Sequence, residues 1–168
     1  MVTKTIILLI TAVSTSLIGG LLYAYSVSVS PGLGRLTDLA YLSAMQAINK
    51  AILNPLFFAS FIGTAVLLPV STYLHYNNSG PSPRFYFLLA ASVIYLIGVL
   101  GVTIGGNVPL NEWLAKINLS SLDSAEAAKA RLRFEGPWNR LHSIRTFSAF
   151  LAVVLTICAC LMQPAIEK

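Results

Sequence analysis

Charged residues are scarce in this sequence. Asp, Glu, Lys and Arg make up 10% of its 168 residues, whereas a soluble domain usually carries about 25%. Hydrophobic residues make up 56%, and the length suits a single domain covering residues 1–168. This composition argues against an ordinary soluble enzyme and predicts an integral membrane protein.

The chain also has few of the residues from which metal and redox sites are built. Its two histidines, His75 and His142, are far apart, and its two cysteines, Cys158 and Cys160, lie two positions apart in an apolar run. A helix would point such cysteines in different directions. The sequence contains no HxxxH motif, cysteine cluster or paired carboxylate. We therefore predict no metal site and no bound cofactor.

The net charge of +5 does not indicate a nucleic-acid partner. No block of consecutive Lys or Arg occurs, and the basic stretch "KARLR" is flanked by Glu126 and Glu135. We interpret the excess of positive charge as basic loops near anionic lipid, and predict a lipid bilayer rather than nucleic acid as the partner.

Four apolar runs are long enough to cross a bilayer, which requires about 20 residues. They cover about residues 5–29, 51–76, 85–105 and 141–162. The segment "DLAYLSAMQAINKAILNP" has apolar positions at helical spacing, and we expect an amphipathic helix that runs directly into the second span. The stretch "DSAE" predicts a capped helix start and a short surface helix over about Ala125 to Phe134.

The predicted fold is therefore an all-α, four-helix transmembrane bundle with short amphipathic helices in the first and third connections. Four spans place both termini on one side of the membrane. Most Lys and Arg residues lie in the first and third connections, so the positive-inside rule places these in the cytoplasm. The expected location is a cytoplasmic membrane.

Three sets of polar residues lie at span ends, where a polar side chain in lipid needs a partner. They are Gln46 and Asn49 in the first connection, Asn107 and Asn111 at the end of the third span, and Trp138, Asn139, His142 and Arg145 at the start of the fourth. The spacing puts each set on one helix face, with Asn139 one step round from the rest of its set, and for Asn107 and Asn111 this requires that the third helix continue past Pro109. All three sets fall at the same membrane face, which predicts a pocket there.

Each of these residues also has a purely structural explanation. Asn107 can cap a helix, Trp138 can belong to an interfacial aromatic belt, and Arg145 can form a structural ion pair. As functional groups, His142 suits a general base near neutral pH and Arg145 suits the stabilisation of an anion on a substrate. Both explanations stay open on the sequence alone.

Three motifs together are more specific for a protein family than the single polar residues are. They are "AMQAINKAILNPLF", "GVTIGGNVPLNEWL" and "PWNRLHSIRTFSAF". In this order, between four spans, they resemble the anthrone oxygenase-like family of small integral membrane proteins, many of which are bacterial and of unknown function. The resemblance extends over nearly the whole chain, from "GGLLYAYSVSVSPGL" to the last helix. It implies a four-helix membrane protein. Fungal relatives of the polyketide pathways oxidise an anthrone methylene to a quinone carbonyl with O2, with no cofactor known to be required.

Carried over by position, the polar residues of the family motifs match Gln46, Asn49, Asn107, Asn111, Trp138 and Arg145. The last motif departs from the pattern W-T-R-W-N-H-x-R of many bacterial members. Here it is "WNRLHSIR", so that the histidine is displaced by one position, to His142 instead of Ser143. An imidazole near Arg145 is nevertheless retained.

The resemblance implies a membrane-embedded oxygenase that acts with O2 on an anthrone-like or other acidic aromatic C–H substrate. We predict His142 as the base, and Arg145, Asn107 and Asn111 as donors to the substrate oxygen. The C–H group of an anthrone is acidic enough for a weak base, and the delocalised carbanion can react with O2 without a metal.

The substrate itself is expected to be a small, hydrophobic aromatic molecule bound by Gln46, Asn49, Trp138 and Asn139. The first alternative is a non-enzymatic accessory protein that binds a lipid headgroup or a partner subunit. A small transporter is the weaker alternative, because no acidic residue lies inside any of the four spans. The sequence leaves open whether the protein forms an oligomer.

Overall fold

The computed structural model describes residues 2–76 and 81–162, whose regular structure is entirely helical. The helices are α1 (Val2–Leu33), α2 (Asp38–Ala51), α3 (Pro55–Leu74), α4 (Pro83–Ala115) and α5 (Ser124–Leu161). All but α2 are long and apolar enough to cross a membrane. α1 packs against α3 and α5, and α4 packs against the same two helices. The predicted four-helix bundle is confirmed, with the short helix α2 between the first and second long helices.

The first connection differs from the prediction in one respect. α2 ends at Ala51, and the second long helix begins only at Pro55 instead of following without a break. The intervening Asn54 is in an extended conformation, and its side-chain oxygen accepts a hydrogen bond from the backbone N–H of Phe57 at 3.0 Å. An N-cap side chain accepts from one of the unpaired N–H groups at the start of a helix, and a proline in the first turn has no N–H group to satisfy. The two together therefore favour the start of a new helix. The cap therefore separates the surface helix from the span.

The third connection differs more strongly from its prediction. The predicted helix start is confirmed, because Asp123 and Glu126 exchange both capping-box hydrogen bonds, at 2.8 and 3.1 Å. No separate surface helix follows, however: α5 continues through Pro137 to its end at Leu161. A proline inside a helix costs about 3 kcal/mol. Here Phe134 and Trp138, buried on either side of it, hold both halves against the core.

Hydroxyl groups join the long helices inside the bundle. Between two transmembrane helices such bonds contribute about 0.6 kcal/mol each, because the separated helices find other partners in the membrane. The buried pairs are Thr11 with Ser71 at 2.7 Å, Ser14 with Thr64 at 2.8 Å, and Thr72 with Ser92 at 3.0 Å. The first two join α1 to α3 and the third joins α3 to α4. These bonds fix the packing of α3 against both neighbours.

Glycines allow α5 to approach α1 and α4 closely. An added Cβ would lie 2.8 Å from Val153 at Gly19, 2.6 Å from the Cβ of Ser148 at Gly98, and 2.7 Å from Leu141 at Gly106. These distances are shorter than side-chain contacts allow. The interfaces of α5 therefore have the small-residue packing that is common between transmembrane helices.

A second apolar core lies at the end of the bundle covered by α2. Tyr41, Leu42 and Met45 of α2 pack there with Phe134 and Trp138 of α5. The connection before α2 is held by the guanidinium of one residue, Arg131. It donates to the carbonyls of Gly34 and Leu36 at 3.0 and 2.8 Å, and bonds Asp38 at 3.1 Å and Glu135 at 2.7 Å. This end of the bundle carries most of the predicted site.

Candidate functional site

Trp138 is at the centre of the polar cluster, and it is buried. Its ring stacks on His142, with centroids 5.1 Å apart and planes at 17°, and on Phe134 at 6.2 Å. Tyr25 packs against it from α1 at 5.3 Å. The indole N–H donates to Oδ1 of Asn111 at 2.8 Å. The predicted spacing of four residues does place Trp138 and His142 on one face of α5.

Asn107 is completely buried on the facing side of α4. Its amide nitrogen donates to the backbone carbonyl of Trp138 at 3.3 Å. The reverse amide orientation would set two acceptors against each other, so the contact itself assigns nitrogen and oxygen. Oδ1 is left buried without a hydrogen-bond partner within the described ranges. The donor role predicted for Asn107 therefore depends on its second N–H alone.

Arg145 is paired with a histidine, a hydroxyl and an aromatic ring. Its Nε and one terminal nitrogen both lie close to Nδ1 of His142, at 3.3 and 3.2 Å. The other terminal nitrogen donates to Oγ1 of Thr103 at 3.4 Å, and the guanidinium lies 5.1 Å from the ring centroid of Trp138. All of these neighbours are neutral acceptors, so the contacts leave the positive charge of Arg145 uncompensated.

This contact fixes the state of His142, which is only 3% exposed. A guanidinium can only donate, so Nδ1 must be the accepting, unprotonated nitrogen, and the hydrogen of the neutral ring is on Nε2. Nε2 lies 2.9 Å from Oγ of Ser26 on α1 and 3.4 Å from Oγ1 of Thr146. The histidine therefore accepts from Arg145 on one side and donates to Ser26 on the other.

A groove of about 600 Å³ lies between α1 and α5. Gly19, Gly20 and Tyr23 of α1 line it opposite Phe147 of α5, and Ser26 belongs to its polar end. Such a volume falls within the range of small-molecule sites, about 300–1,000 Å³. None of the eight predicted residues lines this groove of the described chain. The groove meets them through Ser26 and Thr146, which contact His142, and through Ser143, which donates to the carbonyl of Asn139.

The remaining predicted residues have other positions. Gln46 donates to the carbonyls of Leu114 and Ile117, at 2.8 and 3.1 Å, and so satisfies the end of α4. Asn49 has a buried amide nitrogen without a partner in the described residues. Asn139 is half-buried, and its carbonyl accepts from Ser143 at 3.0 Å. The structure thus brings together Asn107, Asn111, Trp138, His142 and Arg145, whereas Gln46, Asn49 and Asn139 make no hydrogen bond to them within the described residues.

Several residues in contact with the cluster were not predicted, among them Tyr25, Ser26, Thr103 and Thr146. The first three lie in π-helical turns, which cover Tyr25–Val29 in α1 and Thr103–Asn107 in α4. Such turns insert a residue, change which side chains face inward, and often mark functional sites. Nothing in the periodicity of the sequence distinguishes Ser26 from the other hydroxyl residues of the apolar runs.

Comparison with known proteins gives one match. The family model described as "Anthrone oxygenase" matches residues 55–155. This range includes α3, α4 and most of α5, and with them Asn107, Trp138, His142 and Arg145, but not α1 or α2. No curated protein and no solved structure matches the chain.

Proposed function

Because the chain belongs to the anthrone oxygenase family, we propose that it is an integral membrane oxygenase of the bacterial cytoplasmic membrane. It acts with O2 on an anthrone-like or other aromatic substrate that has an acidic C–H group. The observation that carries this proposal is the pair of half-buried Arg145 and buried His142, which connects through Ser26 to an apolar groove. A cation held beside a hydrophobic site favours a reaction in which negative charge develops on the substrate.

The reaction needs O2 as the only other reactant. Loss of a proton from the methylene carbon gives a carbanion that is delocalised onto the carbonyl oxygen. The carbanion transfers electrons to O2, forms a C–O bond, and is protonated to a hydroperoxide. Loss of the second C–H proton then breaks the O–O bond, forms the new carbonyl and releases water. The methylene carbon supplies all four electrons that reduce O2.

The geometry supports a donor role for the pair. Arg145 donates to Nδ1 of His142, and Nε2–H donates to Ser26, so positive polarisation is directed from the guanidinium towards the groove. This arrangement stabilises the oxygen that becomes negative as the C–H proton leaves. The base role of His142 remains a prediction, and it requires that Arg145 first leave Nδ1, because only that nitrogen has a lone pair.

The Arg145–His142 pair is held in position by three residues that do not line the groove, namely Trp138, Asn107 and Asn111. Trp138 stacks on the imidazole, and both asparagines hydrogen-bond to Trp138 from α4. In this proposal they are positioning residues that hold the imidazole against the groove. The NH2 group of Asn111 remains a further donor, since only its Oδ1 bonds to Trp138.

Transport is less compatible with the groove. It extends along α1 from Ser16 to Ser26, which corresponds to about 15 Å of helix. The hydrocarbon core of a bilayer is about 30 Å thick. A groove that ends at the Arg145–His142 pair suits binding and reaction better than passage.

The test uses purified protein in detergent micelles with anthrone in air-saturated buffer. Appearance of anthraquinone absorbance and consumption of O2 should both be faster than in protein-free micelles. Arg145→Ala should lower the catalysed rate about 100-fold, the order of magnitude for loss of a major anion-stabilising donor. Arg140→Ala, which removes an exposed cation from the same helix, should retain the rate. Equal rates with and without protein would refute the proposed function.

A further inference from the structure

The α1–α5 groove has apolar walls and one polar end. Tyr23, Phe147 and Phe150 line it with side chains that are each more than half exposed on the outer surface of the bundle. Gly20 leaves space between them, because a Cβ added there would meet nothing within 4 Å. In a bilayer these aromatic side chains face lipid, so the groove is open to molecules dissolved in the membrane.

The polar end presents one hydroxyl hydrogen that is not committed to the main chain. Thr146 donates to the carbonyl of His142 at 2.8 Å, and Ser143 donates to the carbonyl of Asn139 at 3.0 Å. Ser26 differs, since its oxygen accepts from Nε2 of His142 and its own hydrogen can reach Oγ1 of Thr146 at 3.2 Å. A ligand oxygen in the groove can replace Thr146 as the acceptor, because each hydroxyl has one donor.

The donors behind Ser26 strengthen this bond. The chain runs from the cationic Arg145 to Nδ1 of His142, and from Nε2–H to the oxygen of Ser26. Hydrogen bonds in such a series polarise one another in a low-dielectric environment. Arg145 does not line the groove, so its positive charge is separated from a ligand there by His142 and Ser26. The end of the groove is therefore matched to a neutral oxygen acceptor.

We propose that this groove binds a flat, neutral aromatic ketone that enters sideways from the lipid, with its carbonyl oxygen accepting a hydrogen bond from Ser26. The proposal rests on the proposed function and adds the place, the route of entry and the residue that recognises the oxygen. Tyr23, Phe147 and Phe150 contact the ring faces and edges. Ser26 orients the oxygen and transmits the polarisation of the Arg145–His142 pair.

Photolabelling with xanthone tests the location directly, because this flat aromatic ketone, when excited by light, abstracts hydrogen from a nearby C–H bond and then bonds to that carbon at its carbonyl carbon. In lipid nanodiscs, labelled peptides should concentrate in residues 19–26 and 143–150, and an excess of anthraquinone should suppress the labelling at least fivefold. Labelling spread over the exposed faces of α3 and α4, or labelling that anthraquinone does not suppress, would show general partitioning into lipid and overturn the proposal.

Two glycine variants separate the groove from the rest of the surface. Gly20→Leu places a bulky side chain at a groove-lining position where an added Cβ meets nothing within 4 Å, whereas Gly105→Leu adds the same side chain at an equally open Cβ position outside the groove. Suppressible labelling should fall at least fivefold in Gly20→Leu and stay at the wild-type level in Gly105→Leu. Unchanged labelling in Gly20→Leu would contradict the assigned site.

The role of Ser26 is tested by comparing two competitors of the same shape. Anthraquinone has carbonyl oxygens and anthracene has none, so anthraquinone should compete about tenfold better in the wild type. This preference should disappear in Ser26→Ala and persist in Ser16→Ala, which removes a hydroxyl from the opposite end of the groove. Equal competition in the wild type, or a preference that survives in Ser26→Ala, would refute recognition by Ser26.

These experiments fail independently of the proposed function, because labelling needs no O2 chemistry. Labelling confined to the groove, without any acceleration of anthrone oxidation, would support the binding site and refute the oxygenase activity. Acceleration of anthrone oxidation that is unchanged in Gly20→Leu would support the activity and show that this groove is not its site.

Discussion

Trp138 and Asn111 are joined across the α4–α5 interface by a hydrogen bond of 2.8 Å from the indole N–H to the amide oxygen. Asn107, one helical turn away, donates to the backbone carbonyl of the same tryptophan. The spacing of the two asparagines therefore allows both to bond to Trp138 of α5, one at its side chain and the other at its backbone. Holding Trp138 in this way also holds the imidazole of His142 stacked on it.

A double-mutant cycle measures the Trp138–Asn111 bond. Trp138→Phe and Asn111→Ala should each lower the free energy of unfolding, and the two effects should be coupled by about 1 kcal/mol, within the range measured for side-chain bonds between transmembrane helices. Unfolding by sodium dodecyl sulfate in mixed micelles, followed by circular dichroism, gives the four free energies. Strictly additive effects would mean that the bond adds nothing to stability.

Close packing at Gly98 gives a second prediction. An added methyl group would meet both Cβ and Oγ of Ser148 on α5. Gly98→Ala should therefore lower the free energy of unfolding by about 1–3 kcal/mol, as expected of overpacking. Gly105→Ala, where the methyl group meets no atom within 4 Å, should change it by less than about 0.5 kcal/mol.

Relief of the clash provides the control for Gly98. Ser148→Gly removes both atoms that the new methyl group would meet, so it should restore most of the stability lost in Gly98→Ala. The same mixed-micelle unfolding assay applies. If the double variant is no more stable than Gly98→Ala alone, steric contact with Ser148 is not the cause.

The sequence was sufficient for the bundle and for the cluster around Trp138. Apolar runs of spanning length predict the four long helices, and spacing by four predicts that Trp138 and His142 share a face. Helix boundaries were harder to predict. Pro137 would normally end a helix, yet α5 continues through it, because Phe134 and Trp138 are buried on both sides.

The groove could not be predicted for two physical reasons. It depends on the separation of α1 and α5, which results from packing in three dimensions and not from local periodicity. Its polar end depends on Ser26, which no sequence pattern distinguishes from the other hydroxyl residues of the apolar runs. Gln46, predicted by motif to bind the substrate, donates a hydrogen bond to the end of α4, and its binding role stays a prediction.

Arg131 gives a prediction about local stability. Its guanidinium bonds two carbonyls in the connection between α1 and α2 and the carboxylate of Asp38 at the start of α2, so Arg131→Ala should release that connection. Hydrogen–deuterium exchange at residues 34–41 should become at least about tenfold faster, which corresponds to roughly 1.4 kcal/mol of local opening free energy. Lysine at position 131 should restore only part of the protection, because it lacks the planar set of donors.

The control for this experiment is Arg140→Ala, which removes an exposed cation from the same helix. Exchange at residues 34–41 should then match the wild type. Equal acceleration in both variants would assign the effect to net charge instead of the bonds made by Arg131.

The role of His142 as donor or as base can be decided by replacing it with glutamine. The amide of Gln can donate to Ser26 much as Nε2–H does, but it cannot take up a proton. If His142 acts as a donor, His142→Gln should retain anthrone oxidation within about tenfold of the wild type, whereas His142→Leu should lose about 100-fold. The initial rate of anthraquinone formation in detergent micelles is the measurement. Equal losses in both variants would instead assign proton transfer to the imidazole, and would require Arg145 to leave Nδ1 during the reaction, since the resting contact occupies that lone pair.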